Sequence, residues 1–164
     1  MAEPAVRHAT YEDLVDVPSH LVAELINGQL ITSPRPAPPH ALAATSLSGE
    51  LHGPFDRGRG GPGGWVILYE PELHLNGDAL VPDLAGWRRE RMPVLPPTSA
   101  FELAPDWVCE VLSPSTAAID RTAKVPIYAR EAVSHVWLID PLAQTLEVLR
   151  LDGGNFRIVG AFRG

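Results

Sequence analysis

Two Asn-Gly dipeptides, Asn27-Gly28 and Asn76-Gly77, each stand between short apolar runs. A two-residue type I′ turn needs positive φ at both central residues. Asparagine and glycine supply that at least cost, so this pair is the strongest short-range hairpin signal a sequence carries. Residues 21–26 and 29–32 are predicted to pair across the first turn. Around the second, 65–69 and 73–75 run into Asn76-Gly77 and 79–87 returns as a strand. The chain is thereby committed to sheet. At 45% hydrophobic and 20% charged residues, it is too apolar for intrinsic disorder. No apolar run approaches the ~18 residues of a membrane span, so no membrane partner is expected. The length suits one domain over residues 1–164.

The remaining elements follow from caps, periodicity and breakers. Thr10 with Asp13 forms a capping-box pattern that opens a short helix over 11–17, which Pro18 ends. Four prolines from Pro34 to Pro39 make a stiff connector. A helix over 40–52 follows, with Leu42, Leu47 and Leu51 as its apolar stripe. Residues 53–64, rich in glycine, and 92–105, rich in proline, read as loops. Residues 107–112 read as a buried strand, and Ser113 to Thr116 offer hydroxyl caps for a helix over 117–131. Pro126 should remove one hydrogen bond from that helix and bend it. Residues 135–140 read as a central strand, while 144–151 and 156–162 form a closing hairpin near Gly153-Gly154. The order after the first hairpin is helix, three strands, helix, strand and an extra hairpin. That is an α/β domain, a mixed sheet flanked by helices.

Ionisable groups inside apolar strands are informative, because burying a charge without a partner is expensive. Asp83 follows Pro82 in an otherwise apolar stretch, and Glu110 lies between Cys109 and Val111. Carboxylates on neighbouring strands repel, and a hard divalent cation such as Mg²⁺ or Mn²⁺ relieves that repulsion. Alternatively, each acid is solvent-facing or salt-bridged. Twelve of the thirteen bases are arginine, and the one lysine is Lys124. Asp120, Lys124 and Tyr128 follow at i, i+4 and i+8 and so share a helix face. Read blandly, Asp120–Lys124 is an ordinary helix pair worth ~0.3–0.5 kcal/mol. Read chemically, a compact ammonium can steady a developing phosphorane in a way the planar guanidinium does not. Glu24 is either a third acid near a metal or an exposed hairpin residue. His40, at a helix start, is either structural or part of a site. His20, His52, His74 and His135 do not form metal-ligand spacing. Cys109 should face away from Glu110 as an inert core residue.

The net charge of -7 and pI near 5.3 exclude global attraction to nucleic acid but leave room for a local patch. Arg57 and Arg59 in the glycine-rich loop, with Arg88, Arg89 and Arg91 after the Asp83 strand, could supply one, or could be ordinary surface arginines. The glycine-rich loop lacks the Gly-Lys-Ser/Thr ending of a phosphate loop. A lone cysteine fits a reducing compartment, and residues 1–14 lack the apolar core of a secretory leader. A cytoplasmic location is therefore expected.

Pro82-Asp83, Glu110-Val-Leu112, Asp120-x-x-x-Lys124-x-x-x-Tyr128 and the run Val133 to Pro141, in this order, resemble the Uma-type endonucleases of the PD-(D/E)XK, or restriction-endonuclease-like, superfamily. The early run Glu24 to Leu30 and His40 resemble that family's opening segment. The resemblance implies an αβββαβ core with an added N-terminal and C-terminal hairpin, and Mg²⁺-dependent hydrolysis of DNA phosphodiesters. It makes Asp83 and Glu110 metal ligands, joined by the Val111 carbonyl. Leu112 stands where the superfamily's lysine normally does, so Lys124 on the following helix would fill that role, with Glu24, His40, Asp120 and Tyr128 as accessory residues. A rival from another class is a nuclease-like fold that no longer cuts and serves as a binding or assembly module. An acidic surface and a closing hairpin able to pair two subunits as a homodimer motivate that rival. An RNA-directed or toxin-like nuclease is a third.

Overall fold

Both Asn-Gly turns close the hairpins expected of them in the computed structural model, which describes residues 7–164. Residues 1–6, part of the stretch read as lacking a leader, lie outside the described residues. Helix α1 (Tyr11–Val15) opens on the Thr10–Asp13 capping box. Strands β1 (Leu21–Ile26) and β2 (Gln29–Pro34) pair in register Ile26↔Gln29, with Asn27 and Gly28 at φ 51° and 75°. Helix α2 (Pro38–Leu51) starts two residues earlier than predicted, because Pro38 and Pro39 fit a first turn whose N–H groups have no partner anyway. It continues through a wide π-helical turn, His52–Asp56, into what the sequence marked as loop.

The predicted strand over 79–87 is two strands in two sheets. β3 (Trp65–Tyr69) is followed by β4 (Leu73–Leu75) and β5 (Asp78–Leu80), and the chain resumes as β6 (Leu84–Arg88). Pro82 carries no N–H for a ladder, so the pairing stops at Leu80 and restarts at Leu84. A four-stranded sheet has the order β2-β1-β5-β4. A six-stranded sheet holds β7 (Trp107–Val111), β8 (His135–Asp140), β9 (Thr145–Asp152) and β10 (Asn155–Arg163) in the order β10-β9-β8-β7-β6-β3. Only β7 and β8 run parallel in it, and the helical segment between them is the crossover that parallel pairing requires. Its helices are α3 (Ala117–Ile119), a π-helical turn over Asp120–Lys124, and α4 (Val125–Arg130), with Pro126 in the first turn of α4. The expected distortion at Pro126 thus takes the form of a widened turn just before it. α2, β3, β6, β7, this segment and β8 give the αβββαβ order.

The alternation of β7 sorts the core. Trp107, Cys109 and Val111 pack with Ala44 of α2, Ile67 and Leu84, while Val108 packs on the other face with Trp87, Tyr128, Val136 and Leu138. Cys109 is a fully buried core residue, as expected. Two local expectations fail for geometric reasons. Leu42 is 69% exposed; the face that packs runs through His40, Ala44, Leu47 and Leu51, and Leu42 lies off it. Thr116 makes no side-chain cap either: its hydroxyl meets Ser113 Oγ at 3.0 Å, and the Ser113 carbonyl accepts the Ala117 N–H at 2.9 Å instead. Trp87 is wholly buried and donates its indole N–H to the Leu103 carbonyl at 2.8 Å, tethering the proline-rich loop. Among the described residues, no helix is long and apolar enough to cross a membrane.

The tight turns yield a paired test. Gly77 sits at φ 91° with open space where a Cβ would lie, so Gly77→Ala should lose about 1–2 kcal/mol from backbone conformation alone. Gly49, inside α2 with equally open surroundings, should gain about 0.5–1 kcal/mol on the same substitution. Urea denaturation of the two variants checks the opposite signs, and equal effects would contradict the turn assignment.

Candidate active site

Where the chain passes from one sheet to the other, at Val81-Pro82-Asp83, a cleft of about 260 Å³ opens. Its lining includes Glu24, His40, Asp83, Glu110, Val111, Asp120 and Lys124. These come from β1, α2, the break between β5 and β6, β7 and the π-helical turn, so five separate segments of chain converge. Glu24 alternates inward on β1 and accepts the Val81 N–H at 2.8 Å, which fixes the chain at the crossing. Asp83 accepts the Val111 N–H at 2.7 Å through Oδ2, and its Oδ1 lies 3.2 Å from His40 Nε2.

Lys124 is the hub. Its side chain is 3% exposed, and Nζ lies 2.8 Å from Glu110 Oε1, 2.9 Å from Glu24 Oε1 and 3.7 Å from Asp120 Oδ1. The i,i+4 contact with Asp120 is therefore the longest of the three, and the pair is no ordinary surface bridge. Tyr128, fully buried behind Glu110, donates its hydroxyl to Glu110 Oε1 at 2.5 Å. Asp120 Oδ2 is buried without a hydrogen-bond partner, as is His40 Nδ1.

The electrostatics follow from burial and crowding. Burial pushes Glu110 well above the usual carboxylate range; Lys124 opposes this, while Asp120, Asp83 and Glu24 reinforce it. Burial alone would lower Lys124, yet Glu110 and Glu24 hold its ammonium well above the ordinary lysine value. Burial likewise raises Asp120. The hydrogen bond to Asp83 raises His40, and burial and Glu110 raise Tyr128. Four carboxylates face one ammonium and one imidazole, leaving an excess of negative charge.

That donor set suits a hard cation. Oxygen ligands in excess of positive charge, with one buried carboxylate oxygen unpaired, match what Mg²⁺ or Mn²⁺ needs. Among the described residues, no three His, Cys, Asp or Glu side chains group closely enough to hold an ion unaided. Mg²⁺ does not require such a cage, since it usually takes one or two carboxylates and completes its shell with water and substrate phosphate.

The structure thus brings together Asp83, Glu110, Val111, Lys124, Glu24, His40, Asp120 and, behind them, Tyr128. The candidate patch of arginines does not line the cleft. The Arg88 guanidinium stacks 4.3 Å from the Trp65 ring centroid, Arg91 pairs with Asp106 at 2.8 Å, and Arg89 bonds the Trp65 carbonyl and Asp56. Arg57 meets His52 at 3.1 Å, and Arg59 is held by its backbone to Gly53. Lining residues that the sequence did not single out for a site are Arg35, Glu70 and, read only as helix caps, Ser113 and Ser115. The one signal for Arg35 was its place between Pro34 and Pro36.

Removing one partner from a buried charge cluster strands the others. Lys124→Met should cost about 3–5 kcal/mol, because Glu24 and Glu110 lose their shared cation. Tyr128→Phe should cost about 1–3 kcal/mol through the lost bond to Glu110. Chemical denaturation measures both, and losses near zero would mean that the cluster is hydrated.

The family described as "Uma2: Putative restriction endonuclease" matches residues 9–164. In fold, the chain is similar to the crystal structure of "a putative nuclease belonging to DUF820" from Anabaena variabilis, with a TM-score of 0.78 at 22% identity, covering 95% of this chain and 85% of that one. No curated protein matches the chain in sequence. The match across nearly the whole length, on a restriction-endonuclease-like fold, shows that the chain belongs to the Uma2 family, whose description is "Putative restriction endonuclease".

Proposed function

We propose that this chain is a Mg²⁺- or Mn²⁺-dependent endonuclease that hydrolyses phosphodiester bonds in DNA, acting as a single domain in the cytoplasm. The observation that carries this reading is the buried Lys124 ammonium, held by Glu110 and Glu24 at the wall of an acidic cleft. Strongly perturbed titratable groups cluster at functional sites, and here they converge on one cleft. Asp83 and Glu110, with the Val111 carbonyl, would hold the cation. When bound, it supplies Lewis-acid charge at the scissile phosphate and lowers the pKa of an attacking water.

The chain's own residues do the rest. His40 orients Asp83 through its Nε2, leaving Asp83 Oδ2 on the Val111 N–H. Tyr128 fixes one Glu110 oxygen, so that carboxylate cannot swing away. Glu110, Glu24 and Asp120 keep Lys124 charged at neutral pH, and its point charge can meet the charge that develops on phosphorus-bound oxygens.

β10 lies at the edge of the six-stranded sheet and leaves Ile158 and Phe162 each 60% exposed. This favours a homodimer paired through the closing hairpin, the arrangement that the binding-module alternative also needs.

Supercoiled plasmid with Mg²⁺ or Mn²⁺ should be nicked and linearised by the native protein, while EDTA abolishes cleavage. Asp83→Asn and Lys124→Ala should each lose at least about a hundredfold in rate. Calorimetry should show Mn²⁺ binding that Glu110→Gln weakens. An inactive native protein, or equal cleavage by the variants, would sink the enzyme reading in favour of the binding module. Light scattering should give a dimer that Phe162→Asp converts to monomer; a native monomer would refute the pairing.

A further inference from the structure

We propose that Arg35, supported by the hydroxyls of Ser113 and Ser115, grips a phosphodiester next to the scissile one. This deepens the endonuclease reading and rests on it. A polyanion entering the cleft meets Glu24, Glu70, Asp83, Glu110 and Asp120. Lys124 is buried and committed to three of those carboxylates, and His40 is committed to Asp83. Arg35 is the remaining cation in the lining, and it is exposed.

Its charge is uncommitted. Among the described residues no carboxylate pairs with it; one Nη2 hydrogen donates to the Ser19 carbonyl at 2.7 Å. A guanidinium carries five N–H donors in a planar fork, so most remain available for the bidentate bonding that phosphate oxygens accept. Pro34 and Pro36 flank it. Proline fixes its own φ and restrains the residue before it, so the Arg35 backbone is held extended at little further entropic cost. In the same lining, Ser113 Oγ lies 3.0 Å from both Ser115 Oγ and Thr116 Oγ1. Such a hydroxyl cluster can turn donors toward an anionic oxygen without adding charge. The arginines that lie outside the cleft do not line the path beside the scissile phosphate.

The test measures anisotropy of a labelled DNA duplex, kept uncut in Ca²⁺, together with plasmid cleavage kinetics. Arg35→Ala should weaken duplex binding about tenfold and reduce the slope of log affinity against log salt by about one. It should raise KM with kcat held. Arg35→Lys should recover part of the affinity, since it keeps the charge and loses the fork. Arg7→Ala, an equal change in net charge at an exposed pair with Asp13 outside both the cleft and the closing hairpin, should leave both measurements unaltered. If the native protein binds and cuts and Arg35→Ala behaves like Arg7→Ala, the inference is overturned and the endonuclease reading stands. A native protein that neither binds nor cuts overturns both.

Discussion

The Lys124 ammonium joins three pieces of chain that share no local sequence. Glu24 reaches it from the smaller sheet, Glu110 from the larger one, and Asp120 from the preceding turn of its own helix. Withdrawing such a charge from water costs several kcal/mol, and well-packed apolar residues of similar volume commonly serve folding as well or better. Stability therefore does not explain a wholly buried lysine here. The chemistry of the cleft does. Because four carboxylates face Lys124 and His40, the arrangement is electrostatically incomplete on its own. Protons on the acids or a cation from solution must balance it, and the unpaired Asp120 oxygen marks where the imbalance is felt.

What makes this convergence possible is a failure of pairing. Had β5 continued through residue 82, the two sheets would be one ribbon and Asp83 would lie in an unbroken ladder. Pro82 ends the smaller sheet, and the Val81 N–H that is thereby freed from sheet pairing goes to Glu24. The Asp83 carboxylate, one residue before the larger sheet resumes at Leu84, accepts the Val111 N–H at the far end of β7. The cleft occupies the seam between the sheets.

Much of this was legible in the residues themselves. The Asn-Gly turns fixed two hairpins in register, and the apolar strands around Glu110 and residues 135–140 fell where periodicity placed them. Asp83, Glu110 and Lys124 were visible because ionisable groups are costly in apolar surroundings and because lysine occurs once. Less was legible where the deciding contact is long-range. Glu24 meets Val81 across 57 positions of sequence, and no local pattern distinguishes that from an exposed hairpin acid. His40 was ambiguous for the same reason. Pro82 was in plain view, but apolar residues on both sides of it suggested one strand, and only the competing pairing with β1 shows why there are two. The arginine cluster misled because charge proximity in sequence says nothing about partners: Asp56, Asp106 and the Trp65 ring engage Arg89, Arg91 and Arg88.

The widened turn over Asp120–Lys124 has a consequence for how this helix can vary. A π-helical turn is equivalent to one surplus residue spliced into an α-helix. It sets the azimuth of everything after it relative to everything before. Losing a single residue there would restore regular winding and swing α4 by about 100° around its axis. Tyr128 would rotate off Glu110 while Thr116 and Ala117 stayed in place. Length in this stretch is thus a chemical parameter as strict as composition.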